Sequence, residues 1–283
     1  MFRLKNYVNS FRRYIKIYKN PAETLWKIFN KRFPFMAKLK DGKTIEIPNS
    51  NFAWIVSFGL DVNYDYRGQI LYLNYNGHNL KFLGTEVNGE IPEVFGYEDY
   101  GKFDYRDETV IDVGANIGDS SIYFATKGAT RVIAIEPFPS SYSLLEQNIS
   151  LNELEGIIVP MNAAVGENDG FVNLRPDIKT TTGLGIYNSD NGVKVRIVSL
   201  NKLVEIFNLK NSILKIDCEG CEYDVINSKS IETLAAFKGL IIEYHLGLRE
   251  LRNNIKEKFE VEIVSKTGKA GLIIGVRKSL KPQ

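Results

Sequence analysis

The spacing of hydrophobic positions changes along this chain, and each change marks a different kind of structure. Near the start, Leu4, Tyr7, Val8, Phe11, Ile15 and Tyr18 recur mostly at intervals of three and four, the pattern of an amphipathic helix. Asn20-Pro21 interrupts it, and a second helical pattern runs from Ala22 to Lys31 with Pro21 at its first turn. From Ala37 to Val94 the runs become short and β-like: Ala37–Leu39, Thr44–Ile47, Ile70–Tyr75 and Leu80–Leu83. Asp41-Gly42 and Asn76-Gly77 fall between pairs of these runs and predict hairpin turns. The chain thus begins with a helical segment over 1–36 and a small α+β piece over 37–100.

After Tyr105 the pattern alternates. Val110–Val113, Arg131–Ile135, Ile157–Met161, Ile213–Ile216 and Leu240–Ile242 read as buried strands. Asp119–Lys127, Ser140–Asn152, Leu200–Phe207 and Cys221–Ser228 read as helices between them. Such alternation predicts an α/β domain over 101–283, its mostly parallel sheet covered on both faces. Val261–Val264 and Leu272–Val276, flanking Lys266–Lys269, predict a closing antiparallel hairpin. In such a sheet a ligand is expected at the carboxyl ends of the strands, where the strand order switches direction.

Hydrophobic residues at 44% and charged residues at 25% fit a soluble globular protein, and a net charge of +2 gives no reason to expect a nucleic-acid partner. The charge is uneven, however. Arg3, Lys5, Arg12, Arg13, Lys16, Lys19, Lys27, Lys31, Arg32, Lys38 and Lys40 face a single acid, Glu23, in the first forty residues. The basic, aromatic segment suits either an anionic membrane surface or packing on the α/β domain or on a second subunit as a homodimer. No apolar run spans a bilayer and no secretory pattern stands at the start, so the expected location is cytoplasmic, with peripheral membrane contact through the basic helix as an addition.

The sharpest local signal is Val110-Ile-Asp-Val-Gly-Ala-Asn-Ile-Gly-Asp119, a strand running into a glycine turn and a helix. Gly114 and Gly118 suit a tight turn and close approach of a ligand to backbone, and Asp112 suits a ligand ammonium. A dinucleotide turn is G-x-G-x-x-G, whereas Asn116 stands here at the second glycine, which argues for a nucleoside ligand without a pyrophosphate. Glu136 follows the next strand about 20 residues on, where a carboxylate accepts hydrogen bonds from ribose hydroxyls.

Four blocks occur in order: Val110–Asp119, Ala-Ile-Glu-Pro at 134–137, Asn-Ala-Ala-Val-Gly at 162–166, and Leu-Lys-Ile-Asp-Cys-Glu-Gly-Cys-Glu at 214–222. Together they resemble the FkbM family of class I methyltransferases, over roughly Tyr100 to Val276. The resemblance implies a Rossmann-like sheet of seven strands, S-adenosyl-L-methionine as methyl donor, and an acceptor hydroxyl on a sugar, glycan or small natural product. It places Asp112, Gly114, Asn116 and Gly118 around the methionine part and ribose, and Glu136 on the ribose hydroxyls. Phe138 falls against the adenine, Asn162 and Ala163 at its edge, and Asp217 and Glu219 in the mouth of the pocket. Glu243 and His245, in Ile-Ile-Glu-Tyr-His, follow the fifth strand of that pattern.

A hydroxyl acceptor needs a base as its proton departs, and His245 is the first candidate, Asp217 the second, with Glu243 beside them. A packing or capping histidine is the competing reading. Cys218 and Cys221 form C-x-x-C, readable as a redox pair, part of a zinc site, or two small buried side chains; the last is the expectation. The carboxylates Asp217, Glu219 and Glu243 suit Mg²⁺, but no metal is required by the pattern. The polar, glycine-rich stretch Arg175–Gly192 is a candidate lid. A nicotinamide-dependent dehydrogenase and a non-catalytic binding module are the competing functions; Asn116 disfavours the first and the retained acids and His245 disfavour the second.

Overall fold

The computed structural model describes residues 11–85, 90–174 and 192–278. The expected lid lies outside the described residues except for Gly192, and so do the first ten residues of the basic segment. The chain forms two compact units, Met1–Asp99 and Tyr100–Gln283.

In the first unit residues 11–17 are helical and a second helix spans Pro21–Phe29, with the proline at its first turn, where a missing N–H is harmless. Phe35–Lys38 pairs antiparallel with Thr44–Ile47 across the Asp41-Gly42 turn. Asp61–Asp65, Ile70–Tyr75 and His78–Phe82 form an antiparallel meander whose last turn is Asn76-Gly77. Along Ile70–Tyr75, Leu71, Leu73 and Tyr75 are buried and their neighbours are not, the period-2 signature of a one-sided sheet. The pattern did not reveal the helix Ser50–Ser57: its apolar run has no period, and its start is fixed by Asn49, whose side chain accepts from the Phe52 N–H at 2.8 Å.

The second unit is built on a seven-stranded sheet. In chain order its strands are β1 (Thr109–Val113), β2 (Arg131–Ile135), β3 (Ile158–Met161), β4 (Ser212–Ile216), β5 (Phe237–Tyr244), β6 (Phe259–Thr267) and β7 (Ala270–Arg277). Their order across the sheet is β6-β7-β5-β4-β1-β2-β3. β1 to β5 are mutually parallel, and β7 joins β5 antiparallel after a hairpin from β6. The helices are α1 (Asp119–Thr126), α2 (Pro139–Leu151), α3 (Leu200–Phe207), α4 (Glu222–Val225) and α5 (Arg249–Ile255). This is the mostly parallel, Rossmann-like sheet with a closing antiparallel hairpin that the sequence predicts.

Ile111, Ile133, Leu214, Ile216, Leu240 and Ile242 are fully buried, as strands covered on both faces require. Each contributes roughly 1.5–3 kcal/mol by leaving water. α3 starts where Ser199 accepts from the Lys202 N–H at 3.3 Å and ends at Asn208 in the left-handed conformation. The expected helix Cys221–Ser228 shrinks to the four residues of α4. The Asn227 side chain accepts from the N–H groups of Lys229 and Ser230, and this local turn ends the helix. Sequence pattern also did not reveal a small sheet of Ala164–Gly166, Gly170–Leu174 and Val193–Ser199, inserted after β3. The chain runs outward from β1 through β2 to β3 and then returns to β4 and β5, so the switch in direction falls between β1 and β4. The site lies at that switch.

Candidate functional site at the carboxyl edge of the sheet

β1 and β4 are neighbours in register, with Asp112 opposite Lys215 one residue before each strand ends. Both side chains are buried, and Lys215 Nζ lies 3.0 Å from Asp112 Oδ1. Asp112 Oδ2 accepts from the hydroxyls of Ser120 at 2.7 Å and Ser121 at 2.6 Å at the start of α1. Lys215 also donates to the carbonyl of Gly114 at 2.9 Å. Asp112 is therefore not an open acceptor for a ligand ammonium: it is sealed beneath the glycine turn and supports it. Lys215, which the sequence did not single out, is its counterion.

The turn itself runs from Gly114 to Gly118. Gly114 has φ +77°, and a Cβ there would lie 1.8 Å from the carbonyl oxygen of Asp217. Gly118 has φ +93°, and a Cβ there would come within 2.7 Å of Leu145 on α2. Both glycines are thus demanded by the conformation of the turn, as the sequence suggested, and by protein packing around it. Asn116 also has positive φ, and its N–H points to Glu136 Oε2 at 2.9 Å.

Glu136 stands just past β2, 3% exposed. Its other oxygen accepts from the Phe138 N–H at 2.9 Å. Burial pushes the carboxyl up to about 7, against the pull of the Phe138 and Asn116 N–H groups. A carboxylate accepts about four hydrogen bonds, so two accepted N–H groups leave capacity for a pair of ribose hydroxyls. The residue type, its place and this spare capacity fit the ribose of S-adenosylmethionine. Phe138 is half-buried against Val172, Leu174 and Val195 of the small sheet. The two residues expected at the adenine edge are both held by the protein itself. Ala163 is 1% exposed and packs in the core. The Asn162 amide is spent within the protein, donating to the carbonyls of Glu136 at 2.9 Å and Pro137 at 3.2 Å, which ties the loops after β2 and β3 together.

On the other side of the switch, Asp217 follows β4, and Glu243 and His245 lie at the end of β5. One donor atom from each of the three lies within 4.8 Å of the others. The Asp217 N–H donates to the Val113 carbonyl at 3.0 Å, which fastens this loop to β1. Glu222, fully buried at the start of α4, accepts from the His245 N–H and from His245 Nδ1, both at 2.9 Å. That leaves Nε2 facing Glu219 at 3.5 Å and Asp217 at 4.0 Å. Glu222 is the second residue missed in the sequence; its only signal was that it closes the block at 214–222.

The cluster is crowded with negative charge. Burial, reinforced by the Asp217 charge, raises the Glu243 carboxyl to about 8. Burial also raises Asp217, opposed by Lys215 and His245. For His245, burial alone would lower the imidazole, but the hydrogen bond to Glu222 and the charges of Glu222, Glu219 and Asp217 outweigh it and raise it to about 9. His245 thus holds a proton more tightly than an isolated imidazole does, because acids surround it.

Cys218 and Cys221 are half-exposed and joined by a disulfide, not two separate buried side chains. The expectation failed because the tight turn between Asp217 and α4 brings the two sulfurs together, and spacing alone did not reveal that turn.

Residues 112–260 match the sequence profile of the methyltransferase FkbM domain. A curated relative, Methyltransferase 1 of Beauveria bassiana, is 23% identical, with 53% of this chain and 70% of the relative covered. Among solved structures, Methanocaldococcus jannaschii Trm5 in complex with adenosine is similar at a TM-score of 0.42 and 18% identity, covering 74% of this chain. This chain spans 57% of that protein's length. P. horikoshii TYW2 in complex with MeSAdo is similar at a TM-score of 0.41 and 17% identity, covering 91% of this chain and 95% of that one. The domain match covers more than half of the sequence and contains Asp112, Glu136, Asp217, Glu222, Glu243 and His245. The chain belongs to the FkbM family of class I S-adenosylmethionine-dependent methyltransferases.

Proposed function

We propose that this methyltransferase acts on a hydroxyl oxygen of a sugar, glycan or small natural-product-like acceptor. The observation that carries the reading is the convergence of Asp217, Glu243 and His245 from two adjacent strand ends, across the sheet's switch point from Glu136. S-adenosylmethionine supplies a methyl group made electrophilic by its sulfonium. Glu136 and the Asn116 turn hold the ribose end of the donor. A hydroxyl is a weak nucleophile that must lose a proton as it attacks, and an ionised carboxylate of the cluster receives that proton. Glu222 fixes the His245 ring, so the cluster's geometry is set before the acceptor arrives.

Methyl transfer from isotopically labelled donor to a panel of glycans and small alcohols tests this. His245→Ala is expected to remove most turnover while S-adenosylhomocysteine affinity stays near normal. Unchanged turnover on the true acceptor contradicts the role of the cluster, and label transfer only to nitrogen acceptors contradicts the substrate class.

A location at a membrane surface is part of the same proposal. Phe11, Ile15, Trp26, Phe29 and Met36 are exposed in the first unit among Arg12, Lys16, Lys27, Lys31 and Arg32. Aromatic and cationic groups together suit an anionic lipid surface, where a lipid-linked acceptor is found. No helix among the described residues is long and apolar enough to cross a membrane.

A further inference from the structure

The grouping of Asp217, Glu243 and His245 does more than gather acids. A carboxylate oxygen from each acid and a ring nitrogen of His245 all lie within 4.8 Å of one another. Two donors on opposite sides of a cation coordinated at about 2.1 Å stand about 4.2 Å apart, so these side chains need close by only roughly half an ångström to share one ion.

The imidazole is also oriented for this. Glu222 holds Nδ1 at 2.9 Å and the His245 backbone N–H at 2.9 Å, so Nε2 is the nitrogen turned toward Asp217 and Glu219. A buried carboxylate behind the remote ring nitrogen fixes the tautomer and makes the facing nitrogen a better ligand. Charge points the same way. Asp217, Glu219 and Glu222 stand within 4.0 Å of His245, and Glu243 completes the group. Lys215 is engaged by Asp112 at 3.0 Å and the Gly114 carbonyl at 2.9 Å, and lies 3.9 Å from Asp217. Four carboxyl groups, those of Asp217, Glu219, Glu222 and Glu243, stand around one imidazole.

We propose that Asp217, Glu243 and His245 bind a divalent cation of the Mg²⁺ or Mn²⁺ class, with Glu222 as the positioning residue and the remaining coordination positions open to oxygens of the acceptor. Two carboxylates and one imidazole suit hard ions of this kind. The nearby Cys218 and Cys221 are tied to each other and offer no thiolate to a softer metal. Side-chain exposures of 19% for His245 and 13% for Asp217 leave an entry path. The inference rests on this cluster being the acceptor side of the proposed reaction and adds the ion through which an acceptor oxygen is held.

The test uses Mn²⁺ and the full chain, with neither donor nor acceptor present. Binding is read from loss of the free aquo-ion signal in electron paramagnetic resonance, and the ligand from nitrogen modulation in pulsed spectra. The expected result is a bound ion whose spectrum carries ¹⁴N coupling from His245. Asp217→Asn and Glu243→Gln, compared after their thermal transitions show a folded protein, weaken binding at least tenfold, and Glu222→Gln weakens it by about 10–100-fold. An unchanged aquo-ion signal with the wild-type protein overturns the proposal. So does bound Mn²⁺ without ¹⁴N coupling, a wild-type observation that holds even if a variant fails to fold. S-adenosylhomocysteine binding is measured separately on the same protein, so a negative result here leaves the methyltransferase assignment standing.

Discussion

Replacing Lys215 with methionine keeps the length of the side chain but leaves Asp112 buried without its counterion. Asp112 is 0% exposed and Lys215 is 2% exposed on its side chain, so water cannot enter to replace the lost charge. Breaking a buried pair by removing one partner costs about 3–5 kcal/mol. The lower half of that range is expected, because the Ser120 and Ser121 hydroxyls still donate to Asp112 Oδ2. Loss of the bond to the Gly114 carbonyl adds a smaller amount. For a unit of this size about 3–4 kcal/mol corresponds to a fall in Tm of roughly 6–16 °C. The assay is chemical and thermal unfolding of wild type, Lys215→Met, Asp112→Asn and the double variant. Removing the charge from both partners recovers part of the loss, with a coupling of about 2–3 kcal/mol between the two positions. A single variant within about 0.5 kcal/mol of wild type, or strictly additive effects, refutes the reasoning.

Further predictions follow from the other features of the site. Glu136 holds its proton to about 7 in the folded chain against an ordinary 4.5, so the unfolded chain deprotonates first and stability falls as pH rises through that window. Relative to Glu136→Gln, the wild type loses up to roughly 3 kcal/mol of unfolding free energy between those pH values, and a difference that stays flat with pH contradicts the burial argument. Gly114→Ala, whose new Cβ meets the Asp217 carbonyl at 1.8 Å, destabilises by several kcal/mol, whereas Gly156→Ala, with nothing within 4 Å, is near neutral in the same unfolding assay. Reducing the Cys218–Cys221 link lowers unfolding free energy by about 2 kcal/mol, and identical melting curves with and without reductant show the link to be inconsequential. The protein floats with anionic vesicles at low salt and is released by moderate salt; failure to float at low salt removes the membrane contact.

Much of the second unit was legible because its strands are buried on both faces and its punctuation is local. β2 and α3 have the limits read from sequence, since Pro137 follows one and Ser199 caps the other. Ser50–Ser57, Asp61–Asp65, α5 and the small sheet after β3 were not legible: these are short, and their apolar positions have no clear period. Acids directly after apolar strands marked Glu136, Asp217 and Glu243 as residues at the sheet's carboxyl edge. Sequence did not reveal what each side chain meets across the sheet. The pairing of Asp112 with Lys215 depends on the register of two strands a hundred residues apart. The hold of Glu222 on His245 joins a short helix to the next strand, and only the fold brings them together.

The central claim, that this turn and this carboxylate hold the methyl donor, is tested most directly by calorimetric titration of S-adenosylhomocysteine into wild type and Glu136→Ala. The account predicts binding by the wild type and an affinity roughly tenfold lower or worse in the variant, as loss of a charged hydrogen-bond acceptor implies. Equal affinity for both proteins, or no heat of binding with the wild type, contradicts it.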